Sequence, residues 1–230
     1  MKALTFGFLL TFIGGTVLAL HQSWLRIPAN WVPWGDVALD EPPTRFARFQ
    51  LNSLAADGKS CLMTLARSKL SYTPLPDRPL EGGCGLSSGV QIMRSQIPYS
   101  GVFEARCALV AALYWYEREL VELAKQHLGQ EIARIDHWGS YSCRNVNSRK
   151  EGRRSQHATA NALDLAGFTL ADGSTIVVRR DWGADNAKGR FLKAARDRAC
   201  FYFNAVLGPD YNSLHRDHMH LDLGRARICR

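Results

Sequence analysis

His215-Arg216-Asp217-His218-Met219-His220-Leu221-Asp222-Leu223 alternates in character from His218 onward. Met219, Leu221 and Leu223 fall on one side, and His218, His220 and Asp222 on the other. That period of two belongs to a strand with one face on a core and one polar face. His218 and His220 share the polar face, so one imidazole can bind a metal while the other stays within reach of a substrate. A second cluster lies upstream in Ser155-Gln156-His157-Ala158-Thr159-Ala160-Asn161-Ala162-Leu163-Asp164. His157 and Asp164 are spaced across a loop entering a strand, which suits convergence better than one helical face does. A catalytic zinc site takes three protein ligands and keeps one open position, and imidazole and carboxylate are suitable donors. Taken singly, each histidine reads equally well as a satisfied core or surface residue. The pair at i, i+2 is what raises a metal or proton-transfer role.

Around these clusters the chain reads as one α+β domain. A helix is expected over Gly58–Ser68, then a loop built on Pro74, Pro76, Pro79 and Gly82-Gly83-Cys84-Gly85. Val90–Arg94 and Glu131–Trp138 read as strands. The clearest helical pattern runs from Val102 to Leu128, with Leu109, Leu113, Tyr116, Leu120 and Leu123 in register and Gly129 as its stop. Its aromatic run Tyr114-Trp115-Tyr116 reads as helix packing rather than a sugar-stacking platform. Ala162–Leu170 and Thr175–Val178 form a hairpin across Ala171-Asp172-Gly173-Ser174, and Ala187–Leu207 is a second helix ending at Gly208-Pro209. The expected architecture is a small antiparallel sheet carrying the histidines, flanked by helices.

Composition bounds the rest. With 230 residues, 46% hydrophobic and 22% charged, the balance is globular and excludes a disordered or collagen-like chain. The formal net charge of +8 favours anionic partners. After Met1-Lys2, the run Ala3–Leu20 carries no charge and sits at the lower edge of a membrane span. Two readings stand: a retained signal-anchor with Trp24, Trp31 and Trp34 as interfacial residues, or a signal peptide cleaved near Val17-Leu18-Ala19. Either exports the domain to the cell envelope, anchored in the inner membrane facing the periplasm or released there, and export excludes a nucleic-acid partner. Residues 21–43 read as a Trp/Pro-rich linker and 44–230 as the folded domain. Cys61, Cys84, Cys107, Cys143, Cys200 and Cys229 contain no close C-x-x-C pair, so they read as structural disulfides in an oxidising compartment. The pairing expected is Cys61–Cys84, closing a short Pro/Gly-rich loop, Cys143–Cys200, and Cys107–Cys229, pinning the C-terminus to the long helix.

Ser155–Asp164 resembles the S-x-H-x-x-G-x-A-x-D signature of the lysostaphin/D-Ala-D-Ala metallopeptidase superfamily. Ser155, His157, Ala162 and Asp164 stand where that signature requires, and Ala160 replaces its glycine. Gly139–Arg144 resembles the strand end that precedes the signature in those enzymes. From roughly Cys61 to Arg230, the strings SYSCRNVN, HATANALDLAGF, FLKAARDRAC and VLGPDYNSLHRDHMHLDL resemble the bacterial extensin-like C-terminal domain family. Many members of that family carry an N-terminal membrane segment.

The resemblance implies Zn2+ as cofactor, with His157, Asp164 and His220 as its ligands, and metal-assisted amide hydrolysis as the chemistry. The carboxypeptidase branch has a glutamate three residues before its last histidine ligand, where this chain has Asp217. An endopeptidase branch has histidines two and five residues before it, where this chain has His218 and His215. Strand alternation favours His218 as base or transition-state donor, with Asp217 and His215 as helpers. Arg144 is a candidate anchor for a carboxylate or a developing oxyanion, and reads equally as a surface arginine beside a disulfide. Arg153 and Arg154 read first as a solvated turn, with contact to an acidic substrate as the alternative, and the resemblance places Trp182 near the site. The expected function is a zinc-dependent peptidase acting on peptidoglycan peptides, its partners an anionic wall polymer and, through the N-terminal helix, the cytoplasmic membrane. The alternative is a catalytically silent wall- or polysaccharide-binding domain that keeps the fold and the metal. The missing glycine at Ala160 is its ground.

Overall fold

The structure, a computed structural model, describes residues 2–22 and 32–230. Helix α1 (Lys2–His21) contains the uncharged run. Among the described residues, no helix is long and apolar enough to cross a membrane. Trp24 and Trp31 lie outside the described residues, and Trp34 is exposed.

The domain is α+β. Helices α2 (Ala47–Ala56) and α3 (Gly58–Ala66) lead into β1 (Ser71–Pro74), β2 (Arg78–Glu81), β3 (Cys84–Leu86), β4 (Gly89–Arg94) and β5 (Phe103–Arg106). Then come α4 (Cys107–Leu128), β6 (Ile132–His137), β7 (Ala162–Leu170), β8 (Thr175–Val177) and the short α5 (Val178–Asp181). Helix α6 (Ala187–Tyr202), β9 (Ala205–Leu207), β10 (Met219–Asp222) and β11 (Ile228–Cys229) complete the chain. The six-stranded sheet runs β11-β9-β10-β7-β6, with β8 also on β7. All its pairs are antiparallel except β11 on β9. A three-stranded sheet, β1-β4-β5, and the β2-β3 hairpin lie apart from it.

The centre of the core is α4. Every residue from Cys107 to Glu117 is buried, the pattern of a helix covered all round, and α2, α3 and α6 pack on it. Tyr114, Trp115 and Tyr116 belong to that packing. The helix closes on Gly129 at φ 64°, whose N–H returns to the Lys125 carbonyl.

Both long helices are shorter than their apolar patterns. Phe103–Arg106 pairs with β4, burying Phe103 and Ala105 while Glu104 and Arg106 face outward, so a two-residue period overrides the helical one. Ala205–Leu207 leaves α6 to pair with His220–Asp222. Part of the segment read as linker is packed: Leu39 is in the core, and the Asp40 carboxylate accepts the Tyr114 hydroxyl at 2.7 Å and the Lys69 amide at 3.2 Å.

The expected cysteine pairing is corrected. The bonds are Cys61–Cys107, Cys84–Cys143 and Cys200–Cys229, with Cα separations of 6.0, 5.5 and 5.7 Å. Cys61 faces the buried start of α4, not the loop that follows it. Cys84 lies on a hairpin that reaches the Cys143 loop. Strand β11 runs beside β9, which follows directly from α6, so Cys229 meets Cys200 rather than the buried Cys107. Non-reducing peptide mapping is expected to return these three pairs. The double variant Cys200→Ser/Cys229→Ser is expected to lose about 3 kcal/mol in urea unfolding, and a loss below 1 kcal/mol would count against a structural role for that bond.

Candidate metal centre

Register places the first two groups. In the β7–β10 ladder His220 stands opposite Asp164, while Met219 faces Leu165 and Leu221 faces Leu163. Those four apolar side chains are in the core, so Asp164 and His220 must share the opposite face. His157 arrives from a single 3-10 turn, Gln156–Thr159, in which the Ser155 hydroxyl accepts the His157 N–H at 3.3 Å. Ala160 closes that turn at φ 51°, fully buried, with its N–H returned to the His157 carbonyl at 3.0 Å. This left-handed conformation is one for which glycine is the usual residue. The alanine keeps the loop's shape at a cost of about 1 kcal/mol.

Three donor atoms converge. His157 Nε2 lies 3.0 Å from Asp164 Oδ1 and 3.0 Å from His220 Nδ1, and His220 Nδ1 lies 3.0 Å from Asp164 Oδ1. The far nitrogen of each ring is committed. His157 Nδ1 donates to the Ser140 carbonyl at 2.6 Å, and His220 Nε2 donates to Asp222 Oδ2 at 2.9 Å. When neutral, each imidazole therefore turns a lone pair toward the same carboxylate oxygen. Three lone pairs at this spacing repel unless a cation sits among them. A tetrahedral zinc ion with bonds of about 2.0–2.1 Å spaces its ligands about 3.3 Å apart, close to these edges. The residues thus fit a divalent ion, and both histidines already carry the outer hydrogen bonds that orient metal ligands.

The other internal solution is a proton. Burial opposes charge on His220, but hydrogen bonds and charge from Asp164 and Asp222 outweigh it and raise its pKa to about 9. Burial likewise opposes charge on Asp164, and the bonds from His157 and His220 overcome it, holding the carboxyl well below the usual range.

A second tier lines a cavity of ≈ 320 Å³ beside the triad. His218 Nε2 is 3.6 Å from Asp164 Oδ1, and its Nδ1 lies 3.1 Å from Asp217 Oδ1. The His218 ring sits between Trp138 and His215, each 5.1 Å away centre to centre. His215 Nδ1 donates to Asn212 Oδ1 at 2.7 Å; burial, then the charges of His218 and His220, lower its pKa to about 4. The Arg144 guanidinium stands 3.5 Å from Asp164 Oδ2, a charge contact at the limit of hydrogen bonding. A larger cavity of ≈ 990 Å³, between residues 36–45 and Trp115, holds no histidine or cysteine and is remote from this chemistry.

The structure therefore gathers His157, Asp164, His220, His218, Asp217, His215 and Arg144 in one place. Trp182 is not among the cavity-lining residues. Its indole donates to Asp210 at 2.8 Å beneath Lys193, bracing the loop that leads to Tyr211 and His215. Sequence reasoning passed over Asp222, Asn212 and the Ser140 carbonyl. Asp222 was legible, because it shares the His220 face two residues on; a backbone carbonyl leaves no mark in a sequence.

Residues 59–230 match the family described as Extensin-like protein C-terminus. The chain belongs to that family. No curated protein and no solved structure matches it.

Two outcomes follow for the metal-free chain. His220 has a folded pKa near 9, above its unfolded value of about 6.5. Its contribution to stability is full below pH 6.5 and is lost as pH rises toward 9. The melting temperature is expected to fall across that window, where His215 no longer titrates, and a His220→Gln chain should lack the decline. Ala160→Gly is expected to be neutral to mildly stabilising and Ala160→Val destabilising by at least about 2 kcal/mol in urea titrations, since a branched residue tolerates the left-handed region worst.

Proposed function

We propose that this chain is a zinc-dependent hydrolase of amide bonds in peptidoglycan peptides, working outside the cytoplasmic membrane. One observation carries the reading: the lone pairs of His157 Nε2, Asp164 Oδ1 and His220 Nδ1 meet at 3.0 Å with the outer hydrogen bonds of both rings already made. A two-imidazole, one-carboxylate set with room beside it suits catalytic zinc. The likeness of Ser155–Asp164 to the lysostaphin/D-Ala-D-Ala metallopeptidase signature supports the reaction class. The disulfides support an oxidising compartment, and the uncharged run Ala3–Leu20 supports a tether in the inner membrane or a signal peptide. The net charge of +8 suits an anionic wall polymer.

Bound zinc would supply Lewis acidity toward the scissile carbonyl and the attacking water. His218 supplies the base. Asp217 keeps the proton on Nδ1, so Nε2, facing the triad, can accept a proton from water and pass it to the leaving amine. Asp217 thus orients the base rather than replacing it. His215, neutral at pH 7, forms the wall against which the His218 ring stands. Arg144 is placed to hold a substrate carboxylate at the edge of the triad. The alternative of a silent wall-binding domain rested on the missing glycine, and Ala160 adopts the conformation that glycine would have taken.

The full chain is expected to bind one zinc ion, with affinity rising with pH because the ion displaces the His220 proton. His157→Ala should lose the metal. His218→Ala should keep it and lose at least about a hundredfold in turnover of defined muropeptides, with a smaller loss in Asp217→Asn. A chain that holds no stoichiometric metal sinks the proposal. One that holds zinc and leaves every muropeptide intact is a binding domain.

A further inference from the structure

The segment between Ser140 and His157 leaves the domain as an arm, and its pairing is regular at the base. Asn145 bridges Arg154 in antiparallel fashion, Ser155 N–H donates to the Arg144 carbonyl at 3.0 Å, and Val146 N–H donates to the Arg153 carbonyl at 2.9 Å. Alternation across that ladder sorts the arginines. Asn145 and Arg154 share one face, where the Arg154 guanidinium donates to Asn145 Oδ1 at 3.1 Å and to the Gly82 carbonyl at 2.7 Å. Arg144 and Arg153 share the other. Arg153 stands diagonal to Arg144 across the strands, a spacing of about 7 Å.

Both line the cavity that ends at His218 and His220. Among the described residues, no carboxylate lies within ion-pairing distance of Arg153. The one acid lining the cavity, Asp222, is already engaged by His220 and by the Gly224 amide at 2.6 Å. Three arginines thus share this wall: Arg154 is engaged by Asn145 and the Gly82 carbonyl, Arg144 stands 3.5 Å from Asp164 Oδ2, and Arg153 has no acid beside it. The arm is also held fixed. The Cys84–Cys143 bond ties its base to the β2-β3 hairpin, the Arg154 side chain lies against Gly83, and Asn145 Nδ2 ties its tip to the carbonyls of Arg149 and Lys150. The backbone that carries both arginines is thereby fixed, which lowers what remains to be ordered at binding.

We infer that the arm is a two-point anion clamp and that the substrate is dianionic: Arg144 holds one carboxylate next to the triad, and Arg153, at the diagonal position of the ladder, holds a second. This deepens the hydrolase reading by naming the substrate's charge pattern, and it rests on that reading for the role of Arg144. The second anion sets specificity through Arg153, which touches neither the metal ligands nor His218.

The probe is a seven-carbon diacid, heptanedioate, against 7-hydroxyheptanoate, which has the same length and one carboxylate. Binding is measured on the full zinc-loaded chain by calorimetry at low ionic strength. The diacid is expected to bind about tenfold tighter. Arg153→Ala should erase that ratio while leaving the monoacid affinity unchanged, Arg153→Lys should restore part of it, and Arg144→Ala should weaken both probes. Equal affinities for the two probes, no binding of either, or a ratio that survives Arg153→Ala would overturn the clamp. Neither probe has an amide bond, so the ratio is read whether or not the chain hydrolyses anything. A chain with the ratio but no turnover of muropeptides loses only the hydrolase reading, and one with turnover but no ratio loses only the clamp.

Discussion

In the ladder between β7 and β10, His220 lies opposite Asp164, and a slip of one residue would send both into the core and bring Met219 and Leu165 to the surface. The apolar neighbours hold this register. Met219, Leu221, Leu163 and Leu165 are all buried, each worth roughly 1.5–3 kcal/mol by the apolar area removed from water. Burial of the back of the sheet therefore sets the chemistry on its front. Everything else in the site is arranged against this fixed pair: His157 by a capped turn, His218 by its place two residues before His220, and Asp222 by its place two residues after.

That arrangement is costly unless a cation occupies it. A buried carboxylate and two buried imidazoles oriented by outside partners leave three lone pairs facing inward. Such convergence is unusual in a core selected for stability, where replacement by apolar groups would often be neutral or better. The outer bonds make the point sharper. If the Ser140 carbonyl or Asp222 were absent, either ring could rotate or change tautomer and relieve the repulsion. With both present, the rings keep these orientations, and against the effect of burial the hydrogen bonds and charge of Asp164 and Asp222 raise the pKa of His220.

Much of this was legible in the chain. Period-two alternation at His218–Leu223 gave the strand and its polar face, and the α+β class followed from the mixture of periods. What misled were apolar runs that served two elements. Val102–Leu128 is a continuous helical pattern, yet Phe103–Arg106 finds a partner in β4, and tertiary pairing prevails over local propensity. The disulfides were illegible for a related reason. Cysteine spacing records distance along the chain, whereas bonding depends on which elements pack together. The left-handed position at Ala160 was visible only as a departure from a glycine signature, and its meaning is backbone geometry.

Two of the three bonds also show what the hydrophobic core does not hold. The central sheet is wide enough to be stable against its helices and carries no disulfide within its inner strands. The β2-β3 hairpin is different: its first strand is exposed at every position, and a lone two-stranded ribbon is marginal in water. Strand β11 has two residues. Cys84–Cys143 and Cys200–Cys229 secure these weak elements, while Cys61–Cys107 joins α3 to the start of α4. The hairpin bond has a further consequence. Cys143 immediately precedes Arg144, so the staple that rescues a marginal ribbon also fixes the base of the arm that carries Arg144 and Arg153. The same covalent constraint serves stability at one end and the placement of charge at the other.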